Sequence, residues 1–522
     1  MPARAGAEHQ RAGLPPPRRR ILHDLKGRAM RTLALLLVAL AAAGAAPAHE
    51  ADPGAASITP ENLMADVRAL TAPELGGRLP GTAGYDEAMR FCSERFASLG
   101  LTPGGDDGWL QRLTMELNRI DGCELTLVGA DGVVEPLALG SDFACRGFTG
   151  SGVADAPVVF VGYGLSLPER GHDDYAGLDV RGKIVLAIKP APKWEPVDGE
   201  GWGDAHLPRP KARAARDHGA VGLLLVPHPV AMRPQPAIAS VLHGPGEQVG
   251  DLPQAELTTA AAARLCAGGL PELAGLVAAM DEAKAPASRE LPGRARLAVD
   301  AAYEPAAPTA NVVGLLPGTD PELRDECLVI GGHLDHVGRQ GEVVWPGAND
   351  NASGAASVLA LARAFAEGGV LPRRTVVFVL FAGEEQGLNG ARWFVAHPAR
   401  PFERTIAMLN LDCVAHGDSI QIGGGGSQPV LWNLARGLDA AQARLSTART
   451  WPGGGADAEP FHEAGVPTLY FASTPSYKHL HQATDAPETL NPMLHKELTR
   501  LAYRTAVDIV QGWYIGEGEK SR

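Results

Sequence analysis

The sequence predicts an α/β protein built on a mainly parallel mixed sheet sandwiched by helices. From Asn311 to about Trp513, apolar strand-like runs alternate with helical patterns, as strand–helix–strand units do. Four acidic or histidine side chains also stand just past such runs. Leu328-Val329-Ile330 leads to His333, Thr375 to Phe381 leads to Glu384 and Glu385, and Ile406 to Leu411 ends on Asp412. In open α/β sheets the crevice beyond the carboxyl ends of the strands is where ligands bind, so side chains far apart in sequence can converge there.

The elements follow in chain order. Arg28 and Arg31 precede a Leu/Ala-rich stretch from Thr32 to Ala45, and Ala46-Pro47-Ala48 supplies a small-x-small cleavage pattern. This is the layout of a cleaved secretory signal over residues 1–48, with Met30 as an alternative start, and the stretch is short for a membrane span. The expected location is therefore secreted or periplasmic. From Thr59 to Leu110 the spacing is largely helical, with Gly100 stopping the helix that carries Met89 to Leu99. Ala156 to Val161, Lys183 to Ile188 and Val221 to Val226 read as strands, and Lys211 to His218 as a helix. The Pro/Ala-rich joint Glu304 to Ala310 leads into a strand at Asn311 to Leu316, which opens the alternating region.

At 522 residues the chain is long enough for two domains and a large core. Residues 1–48 hold eight Lys/Arg and two Asp/Glu, so their removal takes the formal net charge from −13 to −19. That balance argues against nucleic acid and, after signal cleavage, against a membrane as partner. The six cysteines are scattered without a C-x-x-C pair, and an oxidising compartment could join some of them.

The candidate chemistry lies in His333, Asp335, Asp350, Glu384, Glu385, Asp412 and His481. A histidine can bind a metal through one ring nitrogen while a carboxylate two residues on, here Asp335, fixes the other. Asp350 stands at the mouth of the helix Ala355 to Ala366, where it can serve as a simple cap or bridge two cations. In Glu384-Glu385 adjacent carboxylates point different ways, so one can ligate metal while the other handles the proton of an attacking water. An unpaired Asp412 closing an apolar run would be costly to bury without a cation. Around His481, His479 and His462 compete for the same role. Apart from Asp335, five of these groups make a ligand set for two zinc ions and leave one carboxylate as base.

The order His-x-Asp, Asn-Asp-Asn-Ala-Ser-Gly, Glu-Glu, Asn-Leu-Asp and His-x-x-x-Asp resembles the M28 family of zinc peptidases, in particular its secreted bacterial aminopeptidases. Leu75-Gly76-Gly77-Arg78-Leu79-Pro80-Gly81 adds to the likeness. Asp174 to Lys183 and Arg216 to Ala220 resemble the protease-associated (PA) domain. The resemblance implies a zinc exopeptidase-like fold with an N-terminal peptidase part over residues 55–140, a smaller β-rich PA insertion over 141–295, and the catalytic domain over 296–516. It further implies two Zn2+ per chain, held by His333, Asp412 and a bridging Asp350 with Glu385 and His481. Glu384 would be the general base and Asp335 the partner of His333, with a cis peptide at Asp350-Asn351 and a peptide as substrate. The chain departs from many relatives at Asp457-Ala458, where they have Asp-His, and at Leu480, where they have Tyr; Tyr477 is then a candidate to polarise the oxyanion.

Other classes fit less well. No G-x-S-x-G elbow marks a serine hydrolase in this half of the chain. M20-type metallopeptidases differ around the bridging aspartate. A glutaminyl-cyclase-like transferase would hold one zinc, and a non-catalytic binding protein on the same scaffold would lack a ligand or the base.

Overall fold

The computed structural model describes residues 52–514, apart from 197–198, 231–235, 245 and 476. The targeting segment expected over residues 1–48 lies outside the described residues. Among those described, no helix is long and apolar enough to cross a membrane.

One extended sheet organises the chain. Its parallel heart is Cys327–His333, flanked by Thr375–Phe381 on one side and Thr405–Leu411 on the other, with Thr468–Thr474 beyond and Ser419–Gly423 as an antiparallel edge. Every residue of the first two strands is buried, as parallel strands covered on both faces must be. One face packs on the helices Pro60–Leu70, Ala83–Ser98, Ser353–Glu367 and Pro492–Val510; the other carries a smaller cluster around Phe381, Phe394 and Phe461.

Two long strands tie this sheet to the middle of the chain. Leu110–Val128 runs antiparallel to Arg289–Leu316, whose C-terminal end pairs with Thr375–Phe381 and whose N-terminal part pairs with Gly152–Phe160. The expected joint at Glu304 to Ala310 is thus part of a strand. Pro305 falls in a bulge between Glu304 and Ala307, where strand pairing is already interrupted, and Pro308 lies beyond it opposite Thr114. The expected helical stretch from Thr59 likewise divides. Pro60–Leu70 and Ala83–Ser98 are separated by a turn in which Gly76, Gly77 and Arg78 all have positive φ.

The middle region carries four short strands, Gly152–Phe160, Ile184–Ile188, Gly222–Val226 and Gln254–Leu257, paired in parallel in that order. Two apolar clusters form on its faces, with the helix Pro208–Asp217 on one and Gly269–Ala283 on the other. Cys123 and Cys145 form a disulfide between the long strand Leu110–Val128 and the edge strand Phe143–Cys145.

Between the helices Ser353–Glu367 and Pro492–Val510 sits His495, wholly buried, its Nε2 3.0 Å from the Ser353 carbonyl and 2.9 Å from Ser357 Oγ. Burial pushes its pKa down to about 4. Since an unfolded histidine titrates near 6.5, the folded state binds fewer protons between these values. Its contribution is therefore present above pH 6.5 and lost as pH falls towards 4, a change of roughly 3 kcal/mol. Urea unfolding of chelated protein at pH 7 and pH 4.5 should show a stability drop that shrinks in His495→Gln; an equal drop in the variant would contradict this assignment.

Candidate metal centre

The register of the parallel strands brings the acidic ends together. His333 lies opposite Phe381, and Gly331 opposite Asn410, so the segments that follow emerge side by side. Glu384 and Glu385 follow strand Thr375–Phe381, Asp412 follows Thr405–Leu411, and His481 lies in the loop after Thr468–Thr474. Asp350 reaches the same point from the turn before helix Ser353–Glu367, on a cis Asp350-Asn351 peptide. Only glycine fits at Gly347, which opens that turn with φ +60° and whose Cβ would lie 2.5 Å from the His336 ring.

Two donor groups share Asp350. In the first, His333 Nε2 stands 3.3 Å from Asp350 Oδ1 and 3.5 Å from Asp412 Oδ1. In the second, His481 Nε2 is 3.2 Å from Asp350 Oδ2 and 2.9 Å from Glu385 Oε2. His336 Nδ1 joins this second group, 2.9 Å from Glu385 Oε1 and 3.8 Å from Asp350 Oδ2. His333 Nε2 and Asp412 Oδ1 are buried without a hydrogen-bond partner among the described residues. Unpartnered donors aimed at one another, with imidazole and carboxylate chemistry, fit a zinc-type cation in each group. His479 points elsewhere, bonding Thr484 Oγ1 through Nδ1. His462 lies in the helix Ala458–Glu463 and belongs to neither group.

A surrounding set of groups holds these donors in place. The Asp335 carboxylate lies 3.7 Å from His333 Nδ1, too far for a hydrogen bond, and His333 Nδ1 instead lies 3.1 Å from the Asp335 carbonyl. That carboxylate accepts the backbone N–H groups of Glu384 and Glu385, at 3.2 and 3.4 Å, and so fixes the Glu-Glu turn. Asp485 does the same for the bridging turn, accepting from Asn349 N and Asp350 N at 2.8 and 3.1 Å. Tyr477 gives its hydroxyl to Asp485 and meets Thr489, so that hydroxyl is engaged away from any oxyanion. Tyr470 donates to Asp412 Oδ2 at 2.7 Å.

Arg78 is fully buried and donates to four carbonyls: Leu334 at 2.8 Å, Leu70 and Pro346 at 2.6 Å each, and Gly347 at 2.9 Å. It clamps the segments that follow His333 and precede Asp350. Sequence reasoning missed His336 and the roles of Arg78 and Tyr470. The one available signal was the phrase around Arg78, whose positive-φ turn aims the side chain inward.

The electrostatics divide the two glutamates. Burial alone would raise Glu385, but His481 and His336 outweigh it and hold its carboxyl down at about 2. Burial would lower His481, yet Glu385 and Asp350 push it up to about 11. Glu384 moves the other way: burial, with Glu385, Asp457 and Asp412 adding to it against His333, lifts it well above the usual carboxylate range. Asp457 is buried with both carboxylate oxygens unpartnered among the described residues and is raised for the same reasons. Among the carboxylates facing the centre, Glu384 and Asp457 are shifted towards holding a proton, while Asp350 and Glu385 stay ionised.

Residues 311–506 match the model of Peptidase family M28. A probable zinc metalloprotease of Pyrenophora teres f. teres is 41% identical over 111 residues, 20% of this chain and 23% of the relative. Leupeptin-inactivating enzyme 1 of Streptomyces exfoliatus is 30% identical over 161 residues, 30% of this chain and 34% of the relative. The chain therefore spans about a quarter to a third of the length of these curated relatives. Among solved structures, a Peptidase M28 precursor from Shewanella amazonensis shares the fold with a TM-score of 0.63 at 20% identity, covering 90% of this chain and 96% of the other. An aminopeptidase from Aneurinibacillus sp. strain AM-1 does so at 0.60 and 19%, covering 87% and 95%. The stretch that matches the M28 model, residues 311–506, holds every side chain of the two metal-donor groups.

Proposed function

We propose that the protein is a secreted di-zinc aminopeptidase that removes N-terminal residues from peptides. The observation that carries this reading is the pair of donor groups sharing Asp350, with Glu384 beside them in neither group. His333, Asp350 and Asp412 would hold one zinc, and Asp350, Glu385 and His481 the other, with His336 orienting Glu385. Zinc bound there supplies a lowered pKa for an attacking water and polarises the peptide carbonyl. Glu384 takes the water's proton on its carboxylate and returns it to the departing amine. Asp335 keeps the Glu384 backbone in place throughout.

The names of matched proteins support zinc and peptides as the chemistry, since they include a zinc metalloprotease and aminopeptidases. A secreted or periplasmic location is supported by the signal-like pattern over residues 1–48 and by the Cys123–Cys145 disulfide, which persists in oxidising compartments. Residues 141–295 are read as a PA-type insertion. One of its segments meets the centre directly, because Ala239 N donates to the His481 carbonyl at 3.1 Å.

The test is a zinc titration of chelated protein, assayed on aminoacyl-anilides and their N-acetylated counterparts. Activity should return in full at two equivalents per chain and only for free amino termini. Equal hydrolysis of blocked substrates would overturn the aminopeptidase reading. So would full activity at one equivalent with cyclisation of N-terminal glutamine.

A further inference from the structure

Beside the metal centre opens a cavity of about 520 Å³ that runs from Glu385 and His481 to Arg146 and Lys189. Its walls are largely apolar, from Pro190, Leu207 and Pro227 on one side to Ile238, Ala239 and Val241 on the other. The far end is different. Arg146, 3% exposed, pairs with the fully buried Glu256, and Lys189 reaches the same carboxylate at 2.9 Å. Two cations share one anion, so one positive charge is left over at this end. Arg146 Nε has no hydrogen-bond partner among the described residues, and Lys189 is 31% exposed.

The neighbouring charged groups do not cancel that charge. Arg209 is paired with Glu116, and His228 with Asp281. Burial is the main cause that pushes His243 and Lys189 down, with Arg146 adding to it at both, against the Val241 carbonyl at His243 and Glu256 at Lys189. A buried, under-compensated cation pair is a stable arrangement when an anion completes it.

We infer that this end of the cavity is a carboxylate subsite, in which Lys189, backed by Arg146, holds a carboxylate of a peptide whose apolar part lies along the walls. The inference rests on the peptidase reading of the adjoining centre. The carboxylate can be the C-terminus of a short peptide or the side chain of an acidic residue.

Binding to zinc-loaded Glu384→Gln protein, followed by calorimetry, tests it without turnover. Two matched pairs separate the sources: a tripeptide acid against its amide, and a glutamyl tripeptide amide against its glutaminyl form. One pair should differ by about tenfold or more in Kd, the range of a charge-assisted hydrogen bond. Adding Lys189→Met should bring the ratio close to one, and adding Glu256→Gln should widen it. Ratios within about twofold in both pairs overturn the inference, as does a ratio unchanged by Lys189→Met, since the carboxylate would then sit on the metal. If the preference appears but wild-type protein hydrolyses none of these peptides, the subsite stands and the peptidase reading fails. Hydrolysis without any preference gives the reverse.

Discussion

Glu384→Gln is expected to lower turnover at least about a hundredfold while both metal sites stay filled, in line with what general-base groups contribute. The amide matches the carboxylate in shape but cannot take a proton. Glu384 belongs to neither donor group, so its loss removes no ligand from His333, Asp350, Asp412, Glu385 or His481. Its environment also fits the proposed role of base. Crowding by burial and by Glu385, Asp457 and Asp412 raises its proton affinity, while Glu385, one residue on, is held ionised by two histidines. Turnover measured with metal content by atomic emission checks this. Near-wild-type turnover would remove Glu384 from the role, and a parallel loss of zinc would make it a ligand instead.

Arg78→Met should give the largest loss of stability of any single change near the centre, at least about 3 kcal/mol. The guanidinium satisfies four buried carbonyls from Leu70, Leu334, Pro346 and Gly347, and methionine leaves all of them without a donor. It also removes the positive charge that faces Asp335, Asp350 and Asp485. Lysine should rescue little, because one ammonium cannot reproduce the planar fork of donors. The urea midpoint of chelated protein is the measurement. A change below about 1 kcal/mol would mean that the loops around His333 and Asp350 hold their shape without the clamp.

The parallel heart of the fold was legible because strands buried on both faces are apolar throughout, and their ends mark where His333, Glu384, Glu385 and Asp412 emerge. What escaped was everything defined across space rather than along the chain. His336 sits three residues beyond His333 with no spacing to distinguish it, and Arg78 reaches carbonyls more than 250 positions away. The strand Gln254–Leu257 carries Glu256, a residue that argues for solvent. It is buried only because Arg146 and Lys189 converge on it from separate elements. Pro305 and Pro308 read as a joint because prolines break strand pairing, yet the strand Arg289–Leu316 continues through them, with a bulge at Pro305 and with Pro308 opposite Thr114. Asp335 was expected behind His333, and the chain instead turned its carboxylate onto the backbone of Glu384 and Glu385.

In the proposed centre Asp350 would serve two cations at once. Zinc titrated into chelated protein, with bound metal and hydrolysis of an aminoacyl-anilide followed together, tests it most directly. Two tightly bound zinc ions per chain are expected, with activity complete only when both are present. A single bound zinc sufficient for full activity would contradict it.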